Sequence, residues 1–153
     1  MTPDAYVCVD ASLAIKVVVR EPDSDKADAL FAQWSNEGTH LIAPAFFDVE
    51  TDSILRQKVI LRQELTPAQA EAAFIVLQAL PIRQLTVPAQ RQRAWQIATE
   101  FGFATVYDAT YLALAELQGC PFWTADKHLF DQGKVRIPFV KWLGDYVPRT
   151  TVP

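Results

Sequence analysis

Short apolar runs alternate with longer stretches in which apolar residues return every three or four positions, a pattern that predicts strands alternating with helices. Tyr6-Val-Cys-Val-Asp10 is a strand-type run ending on an acid. The apolar segment that follows, Ala11 to Val19, can form a helix despite its β-branched residues. Ser24 is placed to cap a helix over 25–36, where Ala27, Leu30, Phe31 and Trp34 share one stripe and Gly38 supplies the stop. His40 to Ala43 reads as a second strand, and Pro44 as the start of a helix reaching about Lys58. Thr66-Pro-Ala-Gln69 is a capping box with proline in the first turn, opening a helix to about Leu80. A third strand, Ile82 to Leu85, precedes a helix from Pro88 to Phe101 that Gly102 stops. Thr105 can cap the next helix, Val106 to Gln118, which Gly119 ends. Pro121 to Thr124 is a strand, Asp126 to Phe130 a short helical turn, and Ile137 to Val140 the last strand. Strands alternating with helices build βαβ units. The expected fold is therefore α/β, a three-layer sandwich with a central parallel sheet flanked by helices, in one domain over residues 1–153.

Composition narrows the class without naming a chemistry. Half of the residues are hydrophobic and 21% are charged, which suits a packed core rather than a disordered chain. No apolar run approaches the roughly 18 residues of a membrane span, and the first ten residues lack the features of a signal peptide. Cys8 and Cys120 lie in apolar stretches without CxxC spacing and read as reduced core residues. A cytoplasmic protein with no membrane association is the expectation. The formal charge of −4 argues against a generic nucleic-acid binder. Two divalent cations bound by a shared acidic site would cancel that charge, so net charge does not decide the matter.

The acids are more informative. Asp10 closes the first strand and Asp126 lies just beyond the strand that ends at Thr124, so both emerge at the carboxyl edge of the sheet, where open α/β folds bind ligands. Either alone is explained by the liking of Asp for turns. Glu50 has Phe46, Phe47, Ser53 and Ile54 as its helical neighbours, a mostly apolar face on which a carboxylate is expensive unless it reaches water or meets a cation. Asp48 and Asp52 fall on the other side, with Arg56 four residues after Asp52. Asp108 sits in a first helical turn, where the helix dipole favours an acid, but Thr105 already offers a cap there. Each acid has an ordinary explanation; the predicted meeting of Asp10, Glu50, Asp108 and Asp126 at one end of the sheet does not. Mg²⁺ and Mn²⁺ prefer such hard oxygen ligands, and acids packed together without a cation repel one another. Divalent ions can activate a water for attack on a phosphodiester, with general-base help from a carboxylate. Other chemistries lack their residues: only His40 and His128 are available for zinc, phosphate-binding glycine loops are absent, and no His is placed beside Ser12 to activate it.

Val7-Cys-Val-Asp-Ala-Ser12, Pro44 to Glu50, Tyr107-Asp-Ala-Thr-Tyr-Leu-Ala-Leu-Ala115 and Trp123-Thr-Ala-Asp126 follow one another in an order and spacing that resembles the PIN-domain family. Length and organisation look more narrowly like the VapC-type toxins of toxin–antitoxin pairs. The resemblance implies that Asp10, Glu50, Asp108 and Asp126 ligate Mg²⁺ or Mn²⁺ and support endonucleolytic cleavage of RNA by a metal-activated water. It implies a supporting role for the Thr124 hydroxyl, matches Ser12 to a hydroxyl residue two after the first acid, and offers Asp131 as a loosely aligned further acid. It also implies a homodimer and a small antitoxin that occludes the site. RNA would need cationic contacts, for which Lys16, Arg20, Arg56, Lys58 and Lys127 are candidates. Trp34, Trp95 and Trp123 read as core by spacing, and Ala11 to Val19 as either core or a docking surface. The alternative is a non-catalytic PIN-like module that binds RNA or protein.

Overall fold

The structure, a computed structural model, describes residues 4–133 and 137–149. Five strands form one all-parallel sheet: β1 (Tyr6–Val9), β2 (His40–Pro44), β3 (Ile82–Leu85), β4 (Phe122–Thr124) and β5 (Val140–Trp142), in the order β3-β2-β1-β4-β5. Seven helices link and flank them: α1 (Ala11–Val18), α2 (Ser24–Glu37), α3 (Phe47–Ile60), α4 (Pro67–Ala79), α5 (Gln90–Phe101), α6 (Tyr107–Gln118) and α7 (Lys127–Gly133). The expected α/β architecture is present.

The central strand is the most apolar for a physical reason. β1 is paired on both sides and covered on both faces, so Val7, Cys8 and Val9 are fully buried. On one side of the chain's core, α1 packs against α2, α3 and α4; α6 packs on β1, β2 and β4 and carries α5 on its outer side. Ala11, Leu13, Ala14 and Ile15 are buried, so the apolar segment after β1 is core rather than a free docking surface. Cys8 and Cys120 are both free and buried.

The chain leaves β1 toward β2 and β3, then returns across the sheet to β4 and β5. Its direction therefore reverses between β1 and β4, and a crevice opens where the connections from their carboxyl ends diverge. Cys8 lies opposite Phe122 and Val9 opposite Trp123, and the Asp10 N–H extends the ladder to the Trp123 carbonyl at 3.0 Å. That register brings Asp10 level with the end of β4.

Several boundaries differ from the sequence pattern. Ser24 does not cap α2; it is the first helical residue, and its buried hydroxyl donates to the Val19 carbonyl and accepts from the Glu21 N–H. The cap position falls to Asp23 in a left-handed conformation, φ 68°. Pro44 closes β2, where its missing N–H is no loss at a strand end, and α3 begins at Phe47. α5 begins at Gln90 rather than Pro88, because the Gln90 side chain accepts from the Val87 N–H and closes a turn there. Thr105 caps nothing, and α6 starts after Val106 without a side-chain cap. The last strand is displaced to Val140–Trp142, since Ile137 and Val140 are drawn into turns by bonds to the Gly133 and Ile137 carbonyls. Trp95 is 70% exposed and not core: α5 buries Ala94, Ile97 and Ala98, a stripe that excludes it. The Thr66–Gln69 capping box forms with both of its reciprocal bonds.

Candidate active site

The crevice between β1 and β4 receives one acid from each of four places. Asp10 follows β1, Glu50 lies in the first turn of α3, Asp108 in the first turn of α6, and Asp126 immediately precedes α7. Asp10 is 5% exposed, and its Oδ2 accepts from the Thr124 hydroxyl at 2.7 Å and the Ser12 hydroxyl at 2.8 Å. Those hydroxyls are themselves oriented by the backbone: Thr124 Oγ1 accepts from the Asp126 N–H at 2.9 Å and Ser12 Oγ from the Ala125 N–H at 3.2 Å. Asp126 in turn accepts through Oδ1 from the His128 and Leu129 N–H groups, capping α7. The strand-end half of the site is thus one connected hydrogen-bond network.

The helix-borne half is different. Asp108 receives no side-chain or backbone donor among the described residues, and Glu50 meets only the Tyr111 hydroxyl, 3.4 Å from Oε1. Both are half-buried. Burial first, then the charges of Asp10 and Asp108, pushes the Glu50 carboxyl up to about 7. Burial, then Asp10 and Asp126, pushes Asp108 up to about 6. Asp10 is also raised, chiefly by burial, with its two hydroxyl donors opposing and the Asp126 charge adding to the rise. Asp10 is the hub, close enough to be coupled to each of the other three. None of the ion pairs among the described residues involves any of the four acids. The donor set, hard carboxylate oxygens with uncompensated charge, fits a hard divalent cation. As the side chains lie, no three Asp, Glu, His or Cys residues among those described stand in a metal-holding arrangement.

The sequence matches the PIN domain over residues 7–135, a span that contains all four acids. The chain belongs to the PIN-domain family. Among curated proteins this PIN chain is 32% identical to ribonuclease VapC12 of Mycobacterium tuberculosis, over 80% of its own length and 88% of that protein. It is 30% identical to ribonuclease VapC9 of the same organism, over 86% and 94%. Among solved structures, PAE2754 of Pyrobaculum aerophilum shares the fold with TM-score 0.60 and 21% identity, covering 85% of this chain and 87% of that one. So does VapC20 of M. tuberculosis, described as a sarcin–ricin-loop-cleaving toxin, with TM-score 0.60 and 17% identity over 83% and 95%.

Around the PIN site, the candidate cationic residues have divergent surroundings. Lys16 donates to the Pro22 carbonyl, and Arg20 is bound to Asp28 and to the Lys16 and Val17 carbonyls, so both brace the α1–α2 turn. Lys58 is buried between Glu21 and Glu64 and serves as a clasp between that turn and the end of α3. Arg56 is exposed, and no ion pair among the described residues joins it to Asp52; Asp48 instead bonds Gln84 of β3. Lys127 lies over the Trp142 ring, 5.6 Å from its centroid, beside Asp126. Asp131 lies within α7. A mostly apolar groove of about 760 Å³, lined by Phe46, Arg91, Trp95 and Tyr107 among others, contains none of the four acids in its lining. The polar contact that the hydrophobic pattern concealed is Tyr111. It falls on the apolar stripe of α6 and reads as core, and only the choice of Tyr over Phe hinted at a use for the hydroxyl.

Proposed function

We propose that this PIN-domain chain is a Mg²⁺- or Mn²⁺-dependent endoribonuclease, the toxin of a toxin–antitoxin pair. The observation that carries the reading is the gathering of Asp10, Glu50, Asp108 and Asp126 at the reversal point of the sheet, where burial and neighbouring acids raise Asp10, Glu50 and Asp108 and no ion pair among the described residues reaches any of the four. The naming of its relatives as ribonucleases supports RNA as the substrate. A divalent ion held by the four acids would supply Lewis-acid polarisation of the phosphodiester and a lowered pKa for attacking water. The chain's own contribution begins with Asp10, whose Oδ2 is engaged by two hydroxyls while Oδ1 accepts none of the described hydrogen bonds. Asp126 is held by the first N–H groups of α7. Glu50 and Asp108 are lifted toward neutrality in the metal-free protein, first by burial and then by neighbouring acids, a load that a bound cation would relieve. Lys127, steadied on Trp142 next to Asp126, is the best placed of the candidate cations to meet an RNA phosphate.

The same reading places the protein in the cytoplasm, as a homodimer neutralised by a small antitoxin. No helix among the described residues is long and apolar enough to cross a membrane. The test is cleavage of a mixed RNA pool by the purified protein with Mn²⁺ or Mg²⁺, beside EDTA and Asp108→Asn controls. The reading expects cutting that disappears in both controls. Cutting that persists in EDTA, or folded protein free of inhibitor that never cuts, would overturn it.

A further inference from the structure

We propose that Tyr111 is a positioning residue, whose hydroxyl ties the Glu50 carboxylate to α6, the helix that carries Asp108. The inference rests on the reading of Glu50 as part of the metal-holding set. Tyr111 follows Asp108 by three residues and therefore shares its face of α6. It is fully buried, with its ring edge-on to Phe46 at 5.6 Å and tilted against Phe122 at 5.6 Å. Wedged between α3 and β4 in this way, the ring has no room to swing, so the hydroxyl has a fixed place. It donates to Glu50 Oε1 at 3.4 Å.

A phenylalanine would fill this space without a polar atom to satisfy, and burying a hydroxyl is costly unless it is hydrogen-bonded. Here the hydroxyl joins two elements, α6 and α3. It is also the one hydrogen-bond donor that the Glu50 carboxylate meets among the described residues. Without it, the carboxylate would be free to rotate about its terminal bonds in a crevice of like charge. Groups that orient a ligating side chain from behind change metal affinity about 10–100-fold when removed.

The experiment titrates Mn²⁺ into metal-free protein, followed by calorimetry and by water-proton relaxation, for wild type, Tyr111→Phe, Glu50→Gln and the double variant. The expected result is a Mn²⁺ affinity about tenfold weaker in Tyr111→Phe. In the Glu50→Gln background the same substitution should have no further effect, because Tyr111 acts through that carboxylate. Weakened binding in Glu50→Gln but unchanged binding in Tyr111→Phe would overturn the proposal and leave Glu50 as a ligand. Equal losses from Tyr111→Phe in both backgrounds would mean a packing defect and would also overturn it. Identical Mn²⁺ binding by wild type and Glu50→Gln would remove Glu50 from the metal set, and the positioning role would fall with it.

Discussion

The two halves of the acidic crevice are built on opposite principles. The strand-end half, Asp10 and Asp126, is held by donors on one oxygen of each acid: two hydroxyls on Asp10 and two helix N–H groups on Asp126. The helix-borne half, Glu50 and Asp108, has burial and neighbouring charge but a single long contact from Tyr111. One half is held by the protein, while the other is left under electrostatic load. Such a crevice has a rigid reference edge, with its less constrained carboxylates opposite. The unrelieved repulsion is the driving force that a divalent cation would discharge.

The contrast can be broken most severely at its loaded side. Asp108→Asn is expected to abolish metal-dependent cleavage while leaving the metal-free melting temperature equal to or above wild type, since it removes a half-buried charge without a described partner. Retained cleavage would contradict the assignment, and a large loss of stability would contradict the idea of load. At the organised side the sign of the stability change reverses. Thr124→Val deletes the donor to Asp10 and the acceptor for the Asp126 N–H, both within a buried network. It should cost about 1–3 kcal/mol of stability by chemical denaturation and roughly 10–100-fold in cleavage.

The loaded half also predicts a pH dependence. Glu50 and Asp108, lifted to about 7 and about 6 from ordinary values of 4.5 and 3.8, bind their protons more tightly in the fold than in the unfolded chain. Stability of the metal-free protein should therefore fall as pH rises from about 4 to about 7 and level off above. Mn²⁺ at pH 8 should restore several degrees by binding the native state. Melting curves across that range, with and without Mn²⁺, check both statements; a metal-free stability that rises with pH would refute the first. The smallest effect is reserved for Ser12→Ala. Thr124 still holds Asp10 Oδ2, so about 1 kcal/mol or less of stability and only a few-fold in rate should be lost.

Which parts of this were legible before the structure follows the same division. Strands and helices were readable because their apolar periods differ, and the Thr66–Gln69 box was readable because its partners are local. Boundaries failed where a distant contact outranked a local signal: Ser24 was claimed by the preceding turn, Pro44 by the strand, and Thr105 by neither. With no cap from Thr105, Asp108 stands at an uncapped helix start, and there it is coupled to Asp10 and Asp126. The gathering of four acids was legible because topology alone sends them to one edge. Their unequal support was not, since the Thr124–Asp10 bond joins residues 114 apart in sequence. Lys16 and Arg20 looked available for RNA because nothing local revealed their turn-bracing partners.

The hydroxyl pair on Asp10 has one more consequence, which concerns isosteres. Each hydroxyl accepts a backbone N–H and so has its proton committed toward Oδ2. An amide in that position has only one oxygen. Asparagine at position 10 must turn that oxygen to the two hydroxyl protons, which leaves its NH₂ in the place of Oδ1. The shape of the crevice survives, but a donor replaces an acceptor in front of Glu50, Asp108 and Asp126. The substitution of least volume change is thereby the one that inverts the polarity of the site.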